Sequence, residues 1–265
     1  MAKFWNFKNS EEKSELILYG DISSSQTWFG DEITPKLFKE ELDKCKGDID
    51  IYINSGGGDV FAGISIYNML TRYEGGKIVH IDGIAASIAS VIAMAGDVIV
   101  MPKNATMMIH NAWTCIQGNN TTIRKAADEL ERIDGQIAGI YAAKGGKDAE
   151  EYAAMMEQET WFTADEALEA GLIDQVEDDV KVAASMNDGF FDINGQKVEA
   201  ARYAHTEVLE GMVEHTDSEE PETPIEDHCN GEETQPVDDI NTKLQEQRKL
   251  FMETRKKIME RIEKE

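Results

Sequence analysis

Up to about residue 180 this chain alternates between short runs rich in β-branched residues and longer amphipathic ones, and that alternation leaves few folds open to it. ELILYGDI (15–22), DIYIN (50–54), GKIVHIDG (76–83), GDVIVM (96–101) and ATMMIH (105–110) read as buried strands. PKLFKEELDKC (35–45), GISIYNMLTRY (63–73) and TTIRKAADELERIDGQIAGIYAA (121–143) repeat apolar residues at helical spacing. Repeated strand and helix units of this kind imply an α/β domain. Near its end, Thr163 to Glu166 spell a capping box and Gly171 stands where a helix C′ glycine belongs, so a short helix is expected before a last strand, LIDQV.

Composition narrows the class. Lys and Arg total 26 against 52 Asp and Glu, a formal net charge of −26 that disfavours surfaces built to bind nucleic acid or anionic membrane. Cys45, Cys115 and Cys229 share no short spacing, so neither a disulfide framework nor a CxxC metal knuckle is written here. The N-terminal MAKFWNFKNS has no apolar signal-like core, and the longest charge-free apolar stretch, between Asp82 and Asp97, is 14 residues, short of the ~20 that span a bilayer. A cytoplasmic protein without membrane or nucleic-acid partners is the expectation.

The expected organisation has four parts. Residues 1–182 carry the α/β pattern, and 183–204 carry FFDINGQKV, a small hairpin turning at Asn194 and Gly195. Residues 205–239 read as an acidic disordered linker: the stretch 203–242 has no Lys or Arg, 13 acidic residues and three of the five prolines. In 240–265 Ile240, Leu244, Phe251, Ile258 and Ile262 fall near one stripe of an amphipathic helix, either solvated or partner-binding.

Four constellations bear on chemistry. Ser55-Gly56-Gly57-Gly58, between a strand and a helix, is either a structural turn or a cradle whose backbone N–H groups approach a developing anion. It is neither a Walker A loop nor a dinucleotide fingerprint. Ser87, in GIAASIAS, is either a nucleophile among small residues or a plain N-cap. His110, at the end of ATMMIH, is either a general base or a hydrogen-bonded core histidine. Glu159, before TWFTADEA, is either a carboxylate orienting that histidine or one surface acid among many.

Together, INSGGGDVFAGISIYNML, GIAASIASVIAMAG, MMIHNA and TWFTADEALEAGLID resemble, in order and spacing, the ClpP family of serine peptidases over residues 15–178. KFWNF, GDEITP, the triple glycine and the acidic tail look more narrowly like the ClpP-related head maturation proteases of tailed bacteriophages. The resemblance implies the ClpP/crotonase fold, a spiral of ββα units, with Ser87 as nucleophile, His110 as base and Glu159 where the family has an aspartate. Glu157 and Asp165 are the fallback acids. It further implies oxyanion donors at Gly57 and Ile88, and a substrate-pairing segment at Ile116, Gln117 and Gly118.

Three departures stand out: Gly56 where the family has proline, a Ser-to-His spacing two residues shorter, and the glutamate. The implied function is a serine endopeptidase needing no cofactor or metal, acting on polypeptide such as capsid or scaffold protein. Ring-shaped homo-oligomers are expected, with any ATP dependence supplied by a separate AAA+ unfoldase. Rival readings are a crotonase-type acyl-CoA hydratase or hydrolase and an inactive ring-forming homologue.

Overall fold

The structure is a computed structural model, described here for residues 3–10, 13–23, 35–178, 184–187, 190–193 and 196–205. The Asn194–Gly195 turn, all of the acidic linker but His205, and the C-terminal helix lie outside the described residues.

Element order follows the sequence pattern. β1 (Trp5–Asn9) pairs antiparallel with β2 (Ser14–Tyr19), and after α1 (Pro35–Leu42) comes β3 (Ile49–Ser55), parallel to β2. α2 (Val60–Thr71) starts three residues before the sequence reading because Asp59 caps it, its carboxylate accepting from Ala62 N–H at 2.9 Å. β4 (Lys77–Ala86) runs parallel to β3 and leads into α3 (Ile88–Ala93). β5 (Val98–Pro102) and β6 (Thr106–Ile109) both pair with β4, in different places: Ile78–His80 faces β5, and Ile84–Ala86 faces β6. β4 thus belongs to two rows of strands, and its second half carries the chain into a separate neighbourhood.

α4 (Asn120–Gly145) and α5 (Ala149–Glu157) follow, then β7 (Thr160–Phe162), antiparallel to β6, then α6 (Ala164–Glu169) and β8 (Gln175–Glu177), parallel to β5. α6 begins with the expected capping box of Thr163 and Glu166, and Gly171 follows its C-cap at φ 76°. The result is a mixed α/β fold on a mostly parallel sheet.

A second sheet comes from the 183–204 region, where three strands pair antiparallel: β9 (Ala184–Asn187), β10 (Phe190–Ile193) and β11 (Gln196–Glu199). A 3-10 turn, Ala200–Arg202, ends it.

Side-chain alternation explains why the ends of β4 and β6, Ile84–Ala86 and Met107–Ile109, are apolar on both faces. Ala85, Met107 and Ile109 join the main core with Phe38, Leu70 and Tyr141, whereas Ile84, Ala86 and Met108 join a second core with Phe191, Ile193, Val198 and Tyr203. Both faces of the strands that lead to Ser87 and His110 are therefore covered, one by helices and the other by the small sheet. Among the described residues no helix is long and apolar enough to cross a membrane.

Candidate active site

Ser87 follows the last residue of β4 at φ 56° and ψ −130°, a conformation that costs a non-glycine residue of order 1–3 kcal/mol and persists only where its surroundings enforce it. The surroundings are visible: Ser87 N–H donates to Met108 O at 3.0 Å, and α3 begins at the next residue. Ser87 occupies the N-cap position yet makes no side-chain capping bond; its Oγ lies 2.8 Å from His110 Nε2 instead.

Register brings the histidine there. Ala86 is paired with Met108, so Ser87 and His110 leave adjacent parallel strands at the same end. Asn111 N–H donates to Met156 O at 3.2 Å and Ala112 N–H to Asp134 Oδ1 at 2.7 Å, fixing the chain beyond the histidine. Ser90, the neighbouring hydroxyl, is fully buried and committed elsewhere, to Ser87 O, Met108 O and the Tyr141 hydroxyl.

Glu159 sits just before β7, whose Thr160 is paired with Ile109. Like Ser87 it has a positive φ, 47°. Its Oε2 is 3.7 Å from His110 Nδ1, and the two side chains are only 10% and 11% exposed. Glu157 and Asp165 are exposed, and neither pairs with His110. Burial pulls the His110 pKa below its ordinary 6.5, with the Glu159 charge and hydrogen bond opposing. The imidazole is therefore neutral at pH 7, the state a base requires.

In the glycine turn, Gly57 and Gly58 have φ of 95° and 144°. A Cβ on Gly57 would fall 2.7 Å from Ser87 Cβ, and one on Gly58 2.0 Å from Ile22 O, so the turn lies against Ser87 only because both side chains are missing. Gly57 O accepts from Ile22 N–H at 2.8 Å. The expected donor, Gly57 N–H, is already engaged with Ser55 Oγ at 3.1 Å. Among the described residues Gly58 N–H donates to no group, which leaves it as a further candidate donor of the turn. Ile88 N–H stands at the first position of α3, where no intrahelical acceptor exists. Ile116, Gln117 and Gly118 lie in an exposed irregular segment that joins no ladder among the described residues.

The sequence profile described as Clp protease matches residues 8–180. The chain belongs to the Clp protease family. Its Clp relatives include the ATP-dependent Clp protease proteolytic subunit of Porphyromonas gingivalis, 36% identical over 144 residues, 53% of this chain and 64% of that protein. Proteolytic subunit 3 of Rhodococcus jostii is 35% identical over 133 residues, 49% of this chain and 66% of that one. The proteolytic subunit of Deinococcus radiodurans is 30% identical over 172 residues, 64% and 83% of the respective chains. This chain thus spans a little under two thirds of the first two Clp relatives.

One part of the site escaped the sequence reading. The Glu159 carboxylate accepts from Ala204 N–H at 2.9 Å and His205 N–H at 2.8 Å, as well as from Trp161 Nε1 at 3.3 Å. Backbone donors leave no residue signature.

Proposed function

We propose that the chain is a serine endopeptidase working through Ser87, His110 and Glu159. The observation that carries this reading is the 2.8 Å contact between Ser87 Oγ and His110 Nε2 at two strand ends, with a carboxylate on the far side of the ring. His110 takes the Ser87 proton as Oγ attacks a scissile carbonyl, then delivers it to the leaving amine. Glu159 orients the ring and stabilises the imidazolium. Ile88 N–H and an N–H of the glycine turn receive the oxyanion. Gly58 N–H has no competing acceptor among the described residues, whereas Gly57 N–H must first release Ser55 Oγ. A donor of this kind is worth about 3 kcal/mol at the transition state.

The finer reading is a phage prohead protease, built as a ring of ββα-spiral subunits and acting on capsid or scaffold protein. It is supported by the head-maturation-like N-terminal motifs and acidic tail. The acyl-CoA alternative gives no use to a serine and histidine in hydrogen-bond contact. Labelling with a serine-directed fluorophosphonate decides between the classes: Ser87 is modified, and Ser87→Ala and His110→Ala abolish both labelling and peptide hydrolysis. A chain that hydrolyses peptides with Ser87 unlabelled overturns this mechanism.

A further inference from the structure

The small sheet is the part of the molecule that the serine-peptidase mechanism leaves unused, and it ends on the catalytic groups. Tyr203 is buried, with its hydroxyl donating to Gly56 O in the turn that carries the oxyanion donors. The next two residues give their N–H groups to the two oxygens of Glu159. Three further ties fix the sheet in place. Asn54 Nδ2 donates to Ile193 O at 2.8 Å, and the Trp161 ring meets Tyr203 edge-on at 5.2 Å. Arg202 forms a fork with Asp21 at 2.8 and 2.9 Å, one residue from Ile22, whose N–H holds Gly57 O.

Gly56 provides an independent sign. A Cβ there would lie 2.8 Å from Tyr203 Oη and 3.0 Å from Val198 Cγ1. The space next to this turn is thus filled by the small sheet, and a side chain at position 56 would run into it.

We infer that Tyr203 and the Ala204 and His205 backbone form a positioning clamp, which sets the Glu159 carboxylate against His110 and braces the glycine turn from the opposite side. This inference rests on the serine-peptidase reading. The clamp's contacts are with Glu159, Gly56 and the rings of Trp161 and His110. It acts through Glu159, whose left-handed backbone and three N–H donors leave the carboxylate little freedom.

The direct test is Ala204→Pro in the full chain, which deletes one N–H to Glu159. Tyr203, at φ −124° and ψ 147°, already has the backbone that a residue before proline adopts. The expected result is a fall of about 10- to 100-fold in kcat for a small peptide ester with KM little changed. The acidic limb of the pH profile of kcat/KM moves to lower pH, because Glu159 is the charge that opposes the effect of burial on His110. Unchanged kcat and an unmoved limb overturn the clamp, as does a loss of rate that tracks loss of folded protein with the limb in place. A second pair of variants does not depend on proline. Gly56→Ala alone should lower kcat by displacing Tyr203, and should do less harm in a Tyr203→Phe background, where Oη is gone. Equal harm in both backgrounds refutes the assignment. Failure of fluorophosphonate to label Ser87 in the parent chain refutes the peptidase reading instead, so the two failures are told apart.

Discussion

At the scale of single residues, two strained backbones stand side by side. Ser87 and Glu159 are the described non-glycine residues with positive φ, and both touch His110. Strain confined to the proposed nucleophile and the proposed acid is expected where a scaffold holds reacting groups in place. Glu159→Gln is therefore predicted to lower kcat by about 10²- to 10⁴-fold, since a carboxamide cannot stabilise the imidazolium. The sign of the pH effect follows from what holds His110 below 6.5: burial lowers its pKa, Glu159 raises it, and removing Glu159 lowers it further. Steady-state rates between pH 4 and 8 check this (about the range over which a shifted histidine titrates), and an acidic limb that moves upward contradicts it. Ser90→Ala should do the reverse, costing about 1–3 kcal/mol of stability by stripping partners from buried polar groups, while Ser87 still labels. Ser87, His110 and Glu159 were legible because side chains carry identity in the sequence. The hold on Glu159 by Ala204 and His205 was not, because any residue but proline offers the same N–H.

Among the elements, α4 divides into two parts. Ile137, Ala138 and Tyr141 are buried in the main core, but Ile123 is 48% exposed and Leu130 only half-buried on the N-terminal half. The sequence stripe ran the helix's full length because the apolar period is the same whether an intrachain core or another surface covers it. Ile123→Glu with Leu130→Glu is predicted to lower the solution mass without lowering the melting temperature, as measured by light scattering and thermal unfolding. Ile137→Ala should instead cost about 2–5 kcal/mol. An unchanged mass in the double variant would place any ring contact elsewhere. The ends of elements were less legible than their existence. LIDQV becomes a strand only from Gln175, because Leu172 and Ile173 are buried in the turn after Gly171, and Asp174 Oδ2 accepts from Ile99 N–H at 2.8 Å.

For the molecule as a whole, the composition shift near residue 183 and the packing do not coincide. The described residues up to His205 belong to one compact unit, and the second core joins Ile84, Ala86 and Met108 on one side of residue 183 to Phe191, Ile193, Val198 and Tyr203 on the other. A shift toward polar and acidic residues marks where a chain needs less core, not where it stops contributing to a site. The last residue seen to hold the site is His205, whose own N–H is bonded to Glu159. Deleting 206–265 is predicted to leave kcat/KM for a small peptide within about twofold and the melting temperature nearly unchanged. Deleting 197–265 removes Val198, Tyr203 and both backbone donors. It exposes the Ala86 and Met108 side of the site, where each large apolar side chain lost from burial is worth about 1.5–3 kcal/mol. That truncation should drop activity by more than about 100-fold and lower the melting temperature, measured on both proteins side by side. If the shorter deletion is equally damaging, residues beyond 205 carry part of the fold; if the longer one is harmless, the small sheet is an ornament and Glu159 finds its position without it.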